Sequence, residues 1–529
     1  MSISAPDADY IFVGSGINSL VCAAMLAARG QRVLILERNT RPGGCIRTDA
    51  LTMPGFSHDS LSSWYPAFLG SRAHAVLGTS LQLRGVQFVN SDAPLAVALD
   101  DGRHFMLRRD RSANVAAMNA CSAGDGDRYV AMLKEFERVV DLFGQLIESD
   151  FSASTLLRDA CRAIRKHGLA VLFGFYGASL QSARDLLDAT FRSDLVKALL
   201  APWALHAGLS PDAAGSALMM RLLPFSVELF GMPLVRGGSA CLVDAFCSLI
   251  TEQRGEVCTD TDVAVIEVHA GRATGVRTAD GRRFMARRGV ICNVTPGQLY
   301  GRLLPEASVP ARIAAAASEF RHGRGCMQIH LALDRPPRWV SPELDTVAYL
   351  HVTDGLDGVS RAVNEATCGL LPRRSTIAVG HSSLVDPSRA PAGKSILWLQ
   401  ILDLPKRIRG DAAERIKTPA DGRWNQDIRE AYADRIMERL ARLIVNLESS
   451  ILARRVLSPA DLETMNVNLV GGDPFGGDCN LDQAMFCRPF KGGRAWRTPV
   501  ANVFHIGAST HPGHNLGAGS GYGLAQRLA

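Results

Sequence analysis

A glycine turn at Gly14-Ser15-Gly16, set between an apolar run and a helix-like stretch, constrains this 529-residue chain more than any other feature. Residues 10–13 form the run before it, residues 19–28 follow with helical spacing, and residues 33–36 make a second apolar run that ends at Glu37. Strand, glycine turn, helix, strand and acid in that order predict a dinucleotide-binding unit on a parallel sheet. The first two glycines permit the tight turn and let the backbone approach a pyrophosphate, whose charge is favoured at a helix N-terminus. Glu37, about twenty residues further on, is placed to accept hydrogen bonds from both ribose hydroxyls. Ser19 replaces the third glycine of the fingerprint, which loosens helix against strand and leaves the phosphate contacts available.

Composition narrows the class. At 47% apolar and 21% charged, the chain can bury large cores, and its length suggests two or three units. Fifty-eight Lys plus Arg against 52 Asp plus Glu leave a net +6 with no basic block, so nucleic acid is not an expected partner. Weak basicity leaves room for peripheral contact with an anionic membrane surface. The twelve cysteines are scattered without a CxxC and read as reduced thiols in a cytoplasmic setting. The first nine residues show neither a secretory signal nor a transit peptide. The longest apolar stretch, 169–180, holds two glycines and falls short of the ~18 residues a membrane span needs.

Further along, residues 95–107 read as a hairpin turning at Asp100-Asp101-Gly102, and residues 129–230 carry apolar positions at helical spacing. A three-stranded meander is expected over 263–268, 273–278 and 283–292, with turns at Ala270-Gly271 and Asp280-Gly281. One amphipathic helix is expected to carry Ile436, Leu440, Leu443, Leu447 and Ile451 on a single face. The glycine-dense end closes with a strand at 503–506, a glycine-rich turn and a helix.

Arg41-Pro42-Gly43-Gly44 follows the ribose acid directly, where a second glycine pair lets another loop approach the same phosphates. At this point the chain resembles the FAD-dependent phytoene desaturase and amine oxidase superfamily. The resemblance extends through Gly55-Phe56-Ser57-His58-Asp59, Arg236-Gly237-Gly238-Ser239, the meander, Arg488-Pro489 and the terminal Gly507-Ala508-Ser509-Thr510-His511-Pro512-Gly513. The terminal motif is similar to the carotenoid desaturase branch, and within it to the subgroup called pyridine nucleotide-disulfide oxidoreductase domain-containing protein 2. A flavin disulfide reductase has two cysteines separated by four residues just after its paired glycines. Here Cys45 is followed at the partner position by Ala50, which disfavours thiol chemistry.

The resemblance implies a mixed α/β (α+β) fold. Its discontinuous Rossmann-type, glutathione-reductase-like FAD domain would comprise 1–70, 231–300 and 460–529 and include the meander. A substrate domain of mixed sheet and helices would comprise 71–230 and 301–459, helical over about 129–230. It also implies that Gly14, Gly16, Ile17, Asn18 and Ser19 line the FAD pyrophosphate, and that Glu37 and Arg38 meet the adenosine ribose. Gly43, Gly44 and Arg47 would approach the phosphates and ribityl chain, and Val263 would offer its backbone to the adenine. Gly507 and Ala508 would pack on the pyrophosphate, with Gly517, Gly519 and Gly521 at a helix start facing the isoalloxazine. Many relatives have arginine directly after the paired glycines; this chain has Cys45, with Arg47 as a substitute.

The activity implied is FAD-dependent desaturation or dehydrogenation of an apolar, isoprenoid or polyene small molecule, with hydride passing from carbon to flavin N5. Oxygen or a quinone would serve as electron acceptor, because no second glycine fingerprint calls for NAD(P). Candidates for taking the second hydrogen as a proton are His58, Asp59, His511 and His514. His511 and His514 stand three apart across a turn, which does not make a matched ligand pair, so no metal is expected. Two other readings stay open: a flavin amine or alcohol oxidase, for which a 6% aromatic content offers no evident ring pair, and a non-catalytic escort of lipidated partners on the same fold.

Overall fold

The computed structural model describes residues 7–149, 151–491 and 495–528. Two seven-stranded sheets organise them. In the first, strands Glu256–Cys258, Val33–Leu36, Ala8–Val13, Arg283–Asn293 and Val503–Ile506 lie side by side and parallel. Strand Arg283–Asn293 belongs to two layers. Its C-terminal half pairs with Ala8–Val13 and Val503–Ile506, while its N-terminal half runs antiparallel to Arg272–Thr278, which pairs in turn with Val263–His269. The expected meander is thus an extension of the parallel sheet.

Helix Ile17–Ala27 lies on this sheet with all of its residues buried. It is apolar on every side because it is covered on every side, by the sheet, by helix Ala240–Glu252 and by the terminal helix Gly519–Arg527. Small residues allow the last contact: a methyl at Gly521 would overlap the carbonyl of Asn18.

The second sheet is ordered Ile451–Leu457, Gly325–Leu333, Ser395–Leu404, Ile377–Gly380, Tyr349–Thr353, Leu95–Leu99, His104–Leu107. Side chains alternate between faces along each strand. Met327, Ile329, Leu350, Val352, Leu397 and Leu399 point into an apolar core against helix Gln426–Leu440. Their neighbours Gln328, His330, Tyr349, His351 and Trp398 occupy the opposite face. Helices from the block between Asp125 and Phe230 pack on that second face.

The helix expected to run through Ile451 stops at Leu440. Leu447 lies in a separate short turn and Ile451 opens an edge strand. Leu440, Leu443 and Leu447 nevertheless enter one core, because the chain folds back onto it rather than continuing as a helix.

A buried ion-pair hub fastens the 48–63 hairpin to both halves of the molecule. Arg389 is fully buried and bonds Asp59 through two nitrogens (3.1 and 3.0 Å), Asp386 at 2.8 Å and the carbonyl of Val235 at 3.1 Å. Asp59 also accepts from Thr48 Oγ1, Ser63 Oγ and the amide of Ser239. Asp59→Ala strands part of that guanidinium charge, and removing one partner of a buried pair costs about 3–5 kcal/mol. Urea unfolding of the variant is expected to show this loss; an unchanged midpoint would mean the hub is not a fastening.

Candidate cofactor and substrate site

The glycine turn sits at the carboxyl end of strand Ala8–Val13, where open α/β sheets bind ligands. Gly14 takes φ +87°, and Gly16 begins helix Ile17–Ala27 with neither a capping side chain nor an acid in the first turn. Such an uncapped terminus suits an anion. Ser15 ties three motifs together. Its amide (3.0 Å) and hydroxyl (2.6 Å) donate to Glu37 Oε2, and its hydroxyl accepts from the amide of Gly43 at 2.9 Å. The other Glu37 oxygen accepts from the Asn39 amide. The paired-glycine loop therefore touches the first turn backbone to backbone, and a Cβ on Gly44 would lie 3.1 Å from Gly16 Cα.

The terminal motif closes the cradle. The amide of Gly507 donates to Ser520 Oγ, which donates to Asn18 Oδ1, and the Gly521 amide donates to the same oxygen. Asn18 therefore spends its side-chain oxygen on the start of the last helix. Ala508 accepts from the buried Arg488. Gly517 and Gly519 lie at that helix start, against Ala67 and Pro512 respectively. Val263 is buried at the head of the meander, its carbonyl accepting from Arg302; the preceding stretch bonds Glu37 through Cys258 and Thr261. Arg38 is exposed. Arg47 is half-buried, and its Nε makes no hydrogen bond among the described residues, with Asp49 3.5 Å away.

Sequence reading missed Asn293. It ends its strand beside the turn, its amide donates to Ser19 Oγ, and Gly14, Gly16 and Gly507 all face it closely enough that a Cβ on any of them would crowd it. The only signal was position, the carboxyl end of a parallel strand. Glycines that no side chain could replace, an uncapped helix start and an arginine nitrogen without a hydrogen bond fit the diphosphate and adenosine ribose of FAD.

The proposed proton acceptors separate into different roles. Asp59 is saturated by five donors and is a fastening, not a free base. His58 is buried, bonded to Thr52 Oγ1 at 2.8 Å and edge-on to His330. His511 Nε2 lies 2.9 Å from the carbonyl of Ile147, while His514 Nε2 lies 3.3 Å from that of His206. The two rings thus face different parts of the chain. Burial pulls the pKa of His58, His511 and His514 down to about 4, so all three are neutral near pH 7. Cys45 is pushed up to about 11, again by burial, and is a thiol rather than a nucleophilic thiolate.

His514 leads into a cluster that sequence gave no means of seeing. His206 Nε2 is 2.9 Å from His351 Nε2 and 3.3 Å from Tyr349 Oη. Trp203 packs on both imidazoles at 4.7 and 4.9 Å, and Tyr349 meets Trp64, Trp203 and Trp398 at 5.3, 5.8 and 6.4 Å. Burial lowers the pKa of His206 to about 4 and drives those of His330 and His351 well below their ordinary value. Trp64 Nε1, Trp203 Nε1, His351 Nδ1 and both nitrogens of His330 make no hydrogen bond among the described residues. Buried polar atoms are rarely left unpaired, and five of them concentrate around this one sheet face.

Comparison with known proteins agrees with this geometry. The family described as flavin containing amine oxidoreductase matches residues 20–458. A Mus musculus protein named pyridine nucleotide-disulfide oxidoreductase domain-containing protein 2 is 26% identical over 559 residues, covering 98% of this chain and 93% of that protein. Phytoene desaturase of Fusarium fujikuroi is 24% identical over 95% of this chain and 85% of its own length. In fold, an oxidoreductase from Methanosarcina mazei superposes with a TM-score of 0.61 at 15% identity, over 98% of this chain and 99% of that one. The family match runs from the first helix to the edge strand of the second sheet, and the chain belongs to the family of flavin containing amine oxidoreductases: it is an FAD-dependent oxidoreductase.

Proposed function

We propose that this oxidoreductase dehydrogenates carbon in a largely apolar small molecule, of the isoprenoid or polyene kind, bound between the terminal motif and the Tyr349–His351–Trp398 face. The observation that carries this reading is the character of that face: rings and neutral imidazoles, with the nearby Asp59 locked to Arg389. A charged substrate would find no free counter-charge among Gln328, His330, Tyr349, His351 and Trp398. Bound flavin supplies the hydride acceptor. The chain's own residues hold the substrate against it and exclude water. Across the His206–His351 contact one nitrogen donates and the other accepts, so the pair can hold or pass a proton while both rings stay uncharged. The relative named phytoene desaturase supports a hydrocarbon substrate. Oxygen or a quinone is the proposed electron acceptor, and peripheral contact with a membrane belongs to the same reading.

A second reading has one observation in its favour. Trp64, Trp203 and Trp398 come from three separate segments to pack around the ring of Tyr349, an aromatic frame that composition alone did not suggest. Such a frame suits oxidation at carbon next to nitrogen or oxygen.

Anaerobic titration separates the two. The purified protein is expected to show a flavin band near ~450 nm that polyenes bleach. Bleaching by neutral amines or alcohols and not by polyenes would transfer the assignment to the oxidase, and colourless protein that takes up no FAD would overturn both.

A further inference from the structure

Residues 153–180 form a helical hairpin unlike any other part of the surface. Helix Leu169–Leu180 has no charged residue and no buried residue. Phe173 is 66% exposed and Tyr176 63%, and a Cβ on Gly174 or Gly177 would meet nothing within 4 Å. Its partner helix Ala153–His167 is two-faced. Helical spacing puts Leu156, Leu157 and Ile164 on one side, all exposed, and Arg158, Arg162 and Arg165 on the other. Exposed apolar surface of this extent is rare on a protein that stands alone in water.

We propose that this hairpin is a monotopic anchor lying in the interface of an anionic lipid bilayer, with helix Leu169–Leu180 and Leu157 among the acyl chains and the three arginines against lipid phosphates. Charge selects this occupant. An apolar stripe backed by a basic one matches a surface that is apolar within and negative at its rim. A second copy of the chain would instead bring like basic clusters towards each other. The hairpin is too short to cross: among the described residues no helix is long and apolar enough to span a membrane.

The anchor also faces the site. Gly215 bonds the carbonyl of Leu180 and would meet Leu481 if it bore a side chain. Five residues beyond Leu481, exposed Phe486 meets the ring of Phe151 at 5.9 Å, and Phe151 meets that of His511 at 4.5 Å. His511 belongs to the terminal motif of the flavin cradle.

The test is co-sedimentation of the full-length protein with vesicles of phosphatidylcholine alone and with 30% phosphatidylserine. Wild type is expected to sediment with the anionic vesicles and to release at high salt. Phe173→Glu with Tyr176→Glu should weaken binding about ten-fold on both kinds of vesicle, as loss of buried apolar area requires. Arg158→Glu, Arg162→Glu and Arg165→Glu together should abolish the preference for phosphatidylserine. Flavin content and Tm should stay at wild-type values, since all five side chains are exposed. Wild type that remains in the supernatant overturns the proposal, as does binding indifferent to both sets of changes. A dimer in light scattering that Phe173→Glu dissociates, without vesicle binding, would assign the face to a second copy and overturn it too. The anchor stands independently of the substrate: failed flavin titrations leave vesicle binding untouched.

Discussion

Gly521→Ala is expected to purify without flavin colour and to melt well below the wild type. The terminal helix lies so close to the first helix that the new methyl would overlap the carbonyl oxygen of Asn18, a backbone atom that cannot swing aside as a side chain could. The two helices must part by on the order of 1 Å, and overpacking of this kind costs about 1–3 kcal/mol. Asn18 then releases Ser520 and the Gly521 amide, and the Gly507 amide loses its hold on Ser520. The loop at Gly507 and Ala508, one wall of the cradle, moves with them. Stability conferred by bound FAD goes as well, because a ligand that binds only the folded state stabilises it. Gly297→Ala is the control: its Cβ would meet nothing within 4 Å and its φ is not in the left-handed region. Full flavin content in Gly521→Ala would show that the helices tolerate separation, and the account of the cradle would fail.

The parts of the fold legible in the sequence are those whose signal is local. Strand Val33–Leu36, strand Val503–Ile506 and the three meander strands emerge at or within a residue or two of their expected bounds, because short apolar runs there are bracketed by glycine and aspartate turns. The glycine turn and Glu37 were legible because the chemistry of a dinucleotide fixes their spacing. Of the second sheet only the 95–107 hairpin was legible, since its other strands pair over long separations: Leu350 lies opposite Ala96, and Gln328 opposite both Gln400 and Leu457. Register of that kind is set by packing that no window of sequence contains. The aromatic face was illegible for the same reason. Trp64, Trp203, Tyr349 and Trp398 are each unremarkable alone and meet only once the sheet and the helical block have formed. Asp59 shows the opposite hazard. Its motif was visible, but Arg389, the residue that fixes its role, lies 330 positions away.

Acid is expected to unfold this protein between about pH 6.5 and pH 4, before most carboxylates take up protons. His58, His381, His505 and His511 are each at most 6% exposed, and burial holds their pKa down to about 4. In the unfolded chain an imidazole takes a proton near pH ~6.5. Over that interval the unfolded state binds more protons, so stability rises with pH and is lost as pH falls. Each ring contributes about 1.4 kcal/mol per pH unit there, and four together approach the ~5–15 kcal/mol that holds most folds within one to three units. Asp403, raised to about 6 by burial, acts in the opposite sense, but one carboxyl does not offset four imidazoles. Urea midpoints measured at pH 7.5, 6.5 and 5.5 should fall steeply across the last two, and His505→Gln should flatten the slope by about one proton. Midpoints that stay level down to pH 5 would mean these rings are hydrated and charged in the fold. His58 and His511 border the proposed substrate site, so such a result would also remove the neutral, water-excluded character that the proposed hydride transfer from an apolar substrate requires.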